Sequence, residues 1–193
     1  MIEVEVKARL DNFDEVRENF SKLGVWLETK ELQKDIIFGK EKDLDNEHKL
    51  KEGAIMARIR QKNDKVIICF KEVDRALGRF ESESEAPDLE TAKRFLKKLE
   101  FEEAFEIEKL RENYGYKKFS IALDEVKELG RFIEIEKIVN KTEERERAMS
   151  ECLDLLNFLS PSAKIERNKY GDLMQDLINS KKGWESFKNH HPF

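Results

Sequence analysis

Residues 2–7 alternate apolar and charged side chains, with Ile2, Val4 and Val6 set against Glu3, Glu5 and Lys7. Successive side chains of a strand point to opposite faces, so this stretch predicts a strand with one apolar and one charged face. The pattern returns in Arg58-Ile59-Arg60, Glu81-Ser82-Glu83-Ser84-Glu85, Lys109-Leu110-Arg111 and Glu134-Ile135-Glu136. If those charged faces converge, the chain has a charge-lined interior and an apolar outer face that must be covered.

Helical spacing supplies the cover. Phe13, Val16, Phe20 and Leu23 follow a cap at Asp11 or Asn12, and Gly24 suits the helix end. A second helix follows Asp88 with Leu89, Ala92, Phe95, Leu96 and Leu99 as its stripe. A third starts at Thr142, carries Met149, Cys152, Leu153, Leu156 and Leu159, and ends at Pro161; a last one runs from about Lys169 to Ser180. Between them the pattern predicts strands at Val25–Glu31, Lys34–Phe38, Ala54–Gln61, Lys65–Glu72, Arg79–Glu85, Phe105–Tyr114, Lys117–Asp124 and Phe132–Val139, with a turn at Asn63-Asp64. The order of an acid-alternating strand, a capped helix and a strand bearing basic residues occurs twice, which predicts an internal pseudo-repeat. Many short antiparallel strands with helices outside predict an α+β fold built on a closed barrel of about eight strands. We expect one domain over residues 1–180 and a C-terminal tail over 181–193.

Composition changes this picture little. Charged residues make up 41% of the 193 and hydrophobic ones 39%, but the apolar positions are periodic, which argues against disorder. The net charge of −5 gives no global pull toward nucleic acid. No apolar run is long enough to span a membrane, no signal-peptide pattern precedes the first strand, and a cytoplasmic location is the expectation. Cys69 and Cys152 lie in separate apolar runs and read as buried thiols. His48, His190 and His191 fall in polar stretches and carry no expected role.

The charges themselves predict chemistry. Lys7, Arg58, Arg60, Lys71, Arg79, Lys109 and Arg111 form a basic set that, out of water, requires an anion. Guanidinium forks and ammonium groups match phosphate oxygens, and a linear triphosphate could bridge several at once. Glu3, Glu5, Glu81, Glu83, Glu85, Asp124, Glu134 and Glu136 form an acidic set of hard oxygen ligands suited to Mg²⁺ or Mn²⁺. Any single charged pair at this spacing would be a solvated strand face; repetition in nearly every strand favours a site. No glycine-rich phosphate loop is present.

In order, Glu3-Val4-Glu5-Val6-Lys7, Asp35-Ile36-Ile37-Phe38, Arg58-Ile59-Arg60, Cys69-Phe70-Lys71 and Arg79-Phe80-Glu81-Ser82-Glu83 make up the first half of a recognisable set. Glu108-Lys109-Leu110-Arg111, Leu123-Asp124-Glu125-Val126 and Leu129-Gly130-Arg131-Phe132-Ile133-Glu134-Ile135-Glu136 complete it. The set resembles the CYTH superfamily, the triphosphate tunnel metalloenzymes, from residue 1 to roughly 177. Within it the chain looks most like the class IV adenylyl cyclases of the CyaB type, through the Leu123–Glu136 block and the closing Lys169–Met174 segment, where Lys169 replaces the usual Ser. The resemblance implies an antiparallel barrel forming a tunnel. It implies that Glu3, Glu5, Asp124, Glu134 and Glu136 bind divalent metal, with Glu81 and Glu83 as further acids. Lys7, Arg58, Arg60, Lys71, Arg79, Lys109 and Arg111 would hold the triphosphate, and Glu134, Glu136 and Lys7 would be catalytic.

The expected activity is therefore metal-dependent conversion of ATP to cyclic AMP and pyrophosphate. Hydrolysis of inorganic triphosphate, thiamine triphosphate or a nucleoside triphosphate by the same residues is the alternative. A non-catalytic polyphosphate sensor and a plain charged scaffold stand further back. Neither nucleic acid nor membrane is an expected partner, and an exposed helix pair leaves room for a homodimer.

Overall fold

The computed structural model describes the backbone of residues 2–43, 46, 51–72 and 81–190, with all their side chains except those of 81 and 182–190. Nine strands and four α-helices follow one another as β1 (Ile2–Leu10), α1 (Asp14–Leu23), β2 (Trp26–Gly39), β3 (Ile55–Lys62), β4 (Lys65–Glu72), β5 (Glu81–Ala86), α2 (Leu89–Lys98), β6 (Glu102–Tyr116), β7 (Phe119–Val126), β8 (Gly130–Val139), α3 (Arg145–Leu159), β9 (Lys164–Ile165) and α4 (Tyr170–His190). Strand order in the sheet is β5-β4-β3-β2-β6-β7-β8-β1-β9. Every ladder whose register is described is antiparallel.

The expected barrel closure is not seen. Among the described residues no ladder joins the edge strands β5 and β9, so the architecture is α+β with one large antiparallel sheet. The pseudo-repeat is visible in that order. Exchanging β1–β4 with β5–β8 leaves the sequence of neighbours unchanged, and each repeat's first strand pairs with the other repeat's last, β1 with β8 and β5 with β4.

The chain divides into two compact units, 1–32 with 109–167 and 33–108 with 168–193. In the first, Val6, Ala8, Ile121, Leu123, Ile133 and Ile135 on one face of the strands pack with Val16 and Phe20 of α1 and with Cys152, Leu155, Leu156 and Leu159 of α3. In the second, Ile36, Phe38, Ala57 and Ile59 pack with Ala92 and Leu96 of α2 and with Phe101. In each unit the helices thus cover the apolar face, as the alternation requires.

Local signals explain most boundaries. Gly24 closes α1 in the left-handed conformation, φ 69°, and its N–H bonds the Phe20 carbonyl. Asn12 accepts from the Asp14 N–H at 2.9 Å just ahead of α1. Asp88 caps α2 by accepting from the Thr91 N–H at 2.7 Å. Asn63, at φ 53°, makes the β3–β4 turn.

Four expectations shift. The two strands expected at 25–31 and 34–38 are one continuous strand, β2, since Leu32-Gln33 supplies no turn chemistry. Phe95 and Leu99 of α2 are exposed; Ala92 and Leu96 are buried in the small second core, with Leu89 packed against its edge. In α3 the buried stripe is Ala148, Cys152, Leu155, Leu156 and Leu159, leaving Met149 and Leu153 exposed; Thr142 starts a short 3-10 turn ahead of the helix. The last helix continues beyond Ser180 to His190. Cys69 and Cys152 are buried free thiols, and burial pushes the Cys152 thiol up to about 11. Among the described residues no helix is long and apolar enough to cross a membrane.

Candidate active site

The charged face of the first unit is ordered in rows by strand register. Residues directly opposite each other in an antiparallel ladder share a face. One row holds Glu5, Glu136, Ser120 and Gly115; the next holds Lys7, Glu134, Ala122 and Asn113; the third holds Arg9, Phe132, Asp124 and Arg111. Glu3 lies opposite Ile138 beyond the first row, and Lys109 lies opposite Val126 beyond the third.

Asp124 is the buried centre of this face, with 0% of its surface exposed. Its carboxylate accepts from Lys109 Nζ at 2.9 Å and from Arg111 Nε and Nη2 at 2.7 and 2.5 Å. Arg111 Nη2 also donates to Glu134. Burial alone would push the Asp124 carboxyl up; the bonds from Arg111 and the neighbouring cations outweigh it and hold the group below the ordinary carboxylate range. Lys109, 5% exposed, is lowered chiefly by burial, against the pull of Asp124. Lys7 is equally buried, at 6% exposure.

The first row has the opposite electrostatics. The Glu136 carboxyl is raised, first by burial and then by the like charges of Glu3, Glu5 and Glu134. Acids crowded on the same face favour a cation among them, and carboxylate oxygens fit a hard divalent ion in kind. Among the described residues, however, no three such side chains converge closely enough to cage an ion by themselves.

In the second unit, Arg60 donates Nε and Nη2 to the two carboxylate oxygens of Asp35, both at 2.7 Å. Arg58 Nη2 lies 3.2 Å from Glu83, and its Nη1 lies 3.8 Å from Asp35. Register puts Cys69 opposite both Arg58 and Glu83, and Lys71 opposite Glu81. Arg58, Arg60, Cys69, Lys71 and Glu83 therefore share one face of β3–β5, with the α2 core on the other.

Comparison with known proteins decides the family. The CYTH domain model matches residues 1–168. The chain belongs to the CYTH family. A protein of Methanocaldococcus jannaschii named "Putative adenylate cyclase" is 32% identical over 177 residues, covering 90% of this chain and 98% of that one. The structure of a Pyrococcus horikoshii protein matches with a TM-score of 0.72 and 28% identity, over 91% of this chain and 99% of the other. A Hippeastrum protein reported to have a dominant triphosphatase activity shares the fold, with a TM-score of 0.65 at 17% identity, over 91% and 96% of the two chains.

Against this CYTH fold, the structure brings Glu3, Glu5, Lys7, Lys109, Arg111, Asp124, Glu134 and Glu136 onto one face of the first unit. It brings Arg58, Arg60, Lys71 and Glu83 onto one face of the second. Glu81 takes its place in the β4–β5 register, while Arg79 lies outside the described residues. Asp124, expected as a metal ligand, accepts from Lys109 and Arg111. Sequence reasoning did not single out Asp35, which pairs with both Arg58 and Arg60. The signal was there: Thr29, Glu31, Gln33 and Asp35 alternate along β2, and the last three are buried. Dividing β2 in two hid that period.

Proposed function

We propose that this CYTH protein is a divalent-metal-dependent enzyme acting on a nucleoside triphosphate, as a class IV adenylyl cyclase that makes cyclic AMP and pyrophosphate from ATP. The observation that carries the reading is the row order of the first unit. An acidic row, Glu5 and Glu136, stands next to a mixed row, Lys7 and Glu134, and then to the buried Asp124 with Lys109 and Arg111. Acids for a metal and cations for phosphate oxygens therefore lie one residue pair apart, as chemistry on a polyphosphate needs. The adenylate cyclase name of the M. jannaschii relative supports the same reading.

In this reading Glu3, Glu5, Glu134 and Glu136 would hold Mg²⁺ or Mn²⁺, which would supply charge neutralisation at the phosphates. Lys7, Lys109 and Arg111 of the first unit hold phosphate oxygens, and Arg58, Arg60, Lys71 and Arg79 are the basic residues that the second unit offers for the same chemistry. The ribose 3′ oxygen bonds to the α-phosphorus, the bond from that phosphorus to the β-phosphate bridging oxygen breaks, and pyrophosphate leaves. The 3′ hydroxyl proton passes to solvent as the ring closes. Lys7 lies opposite Glu134 and would offset the charge that develops on the departing pyrophosphate. Asp124 acts on the same step by positioning the Lys109 and Arg111 donors.

The second reading is triphosphate hydrolysis by the same residues, favoured by the triphosphatase activity of the Hippeastrum neighbour. The two differ in which phosphorus meets which nucleophile. Product analysis after incubation with ATP and Mg²⁺ or Mn²⁺, beside a parallel reaction on inorganic triphosphate, separates them. Cyclic AMP with pyrophosphate establishes the cyclase; orthophosphate from either substrate without cyclic AMP establishes the hydrolase. Absence of any product, in wild type and Glu136→Gln alike, overturns both.

A further inference from the structure

Gly115 is the first-row member of β6, and alternation with Asn113 and Arg111 sends its missing side chain toward the charged face. A Cβ built there would stand 2.4 Å from Trp26 Cζ2, 2.6 Å from Trp26 Cε2 and 2.5 Å from Glu28 Oε1. The indole of Trp26 thus lies in the space that any other residue at 115 would fill. Glycine inside a strand weakens it and marks a close approach. Here what approaches is an aromatic ring that remains 52% exposed. Along the same row come Ser120, which is exposed, and then Glu136, two strands or roughly 10 Å from Gly115. Arg111 lies four residues back along β6, roughly 13 Å away.

We infer that Trp26 is the stacking platform for the substrate's base, and that the substrate is a nucleoside triphosphate rather than inorganic triphosphate. This rests on the triphosphate reading of the charged face. The placement is what such a substrate asks for. Phosphates lie against Lys7, Lys109 and Arg111, the ribose spans the Ser120 position, and the base meets a flat, half-bare indole at the end of the acidic row. Glu28, at the edge of the ring, presents an acceptor to an exocyclic amino group on that base. A π-face takes any base, so the ring supplies affinity, and the carboxylate beside it supplies preference.

The test uses the two tryptophans, Trp26 and Trp184. In full-length Trp184→Phe protein the remaining fluorescence belongs to Trp26. With Mg²⁺ present, ATP quenches it and inorganic triphosphate at saturation does not. Trp26→Ala weakens ATP binding about tenfold while inorganic triphosphate binds as in wild type, and Trp26→Phe restores most of the loss. Equal quenching by both ligands, or an unchanged ratio of ATP to triphosphate affinity in Trp26→Ala, overturns the platform and leaves the triphosphate site standing. Failure of both ligands to bind wild type overturns the site and the platform together.

Discussion

Arg111 grips Asp124 across the β6–β7 ladder with both arms of its fork, Nε at 2.7 Å and Nη2 at 2.5 Å from the two carboxylate oxygens. Arg60 grips Asp35 the same way across β3–β2. Under exchange of the repeats β2 maps to β6 and β3 to β7, so the two pairs occupy equivalent places with the charges swapped. Each pins a guanidinium on its charged face, which under the proposed function would lower the ordering cost of binding phosphate.

Asp124 is the member whose loss should cost most. Removing it takes a carboxylate partner from both Lys109, which is buried, and Arg111, which keeps its bond to Glu134. Asp124→Ala should lower stability by about 3–5 kcal/mol in urea denaturation. Adding Lys109→Met to that variant should recover part of the loss, because an apolar side chain then replaces the buried ammonium.

Glu136→Gln should separate stability from activity. Burial and three neighbouring carboxylates raise the folded-state pKa of Glu136, so above the ordinary range the folded chain carries a charge that the unfolded chain carries more easily. That cost is absent below the ordinary pKa and grows as the pH rises through the folded value. The metal-free variant should therefore melt higher than wild type at neutral pH. With Mg²⁺ or Mn²⁺ its turnover should fall by roughly a hundredfold or more, and the gain in melting temperature that the ion gives wild type should shrink.

A pH dependence of the opposite sign sits on the helix-covered face. Glu112 is buried, which opposes ionisation, yet it accepts from Lys30 at 2.8 Å, Tyr114 Oη at 2.7 Å and Arg17 Nη2 at 2.9 Å. These bonds lower its pKa from 4.5 to about 2. The stability it contributes is complete above pH 4.5 and is lost as the pH falls toward 2. Glu112→Gln should cost roughly 3 kcal/mol at neutral pH and flatten the acid limb of the stability curve in that window. A thermal-shift series from pH 7 down to pH 3 on both proteins reads this directly.

Gly115→Ala should displace the Trp26 ring, because the new methyl group would overlap it at 2.4 Å. The ring is half exposed and can swing outward, so the stability loss should stay near 1 kcal/mol or below. The Trp26 emission maximum should shift to the red in the Trp184→Phe background.

Much of this arrangement is legible in the sequence. The charged-apolar alternation of Glu3–Lys7, Arg58–Arg60 and Glu134–Glu136 predicts which side chains share a face, and the registers agree. Local chemistry at Gly24 and Asp88 predicts helix ends for the same reason: the signal and the structure it produces lie within a few residues. What sequence does not reveal is who meets whom. The salt bridge from Arg9 to Glu166 joins residues far apart in the chain, and Asp35 serves Arg60 only because β2 runs on past Gln33. That Asp124 meets Lys109 and Arg111 depends on neighbours brought in by β6, and its letter in the sequence is silent on that. Sheet closure is likewise a property of edge strands, which no single strand encodes.

The pairing of β1 with β8 sets a schedule. Roughly 120 residues separate the partners along this ladder, the kind of contact that forms slowly because a long loop must close first. β1 thus waits for β8, the later of the two in the chain, before it finds its place. Glu3, Glu5 and Lys7 reach Glu136 and Glu134 only when that closure occurs. A chain interrupted between β6 and β8 would hold its basic strands and still lack Glu134 and Glu136, so the acidic rows are completed last.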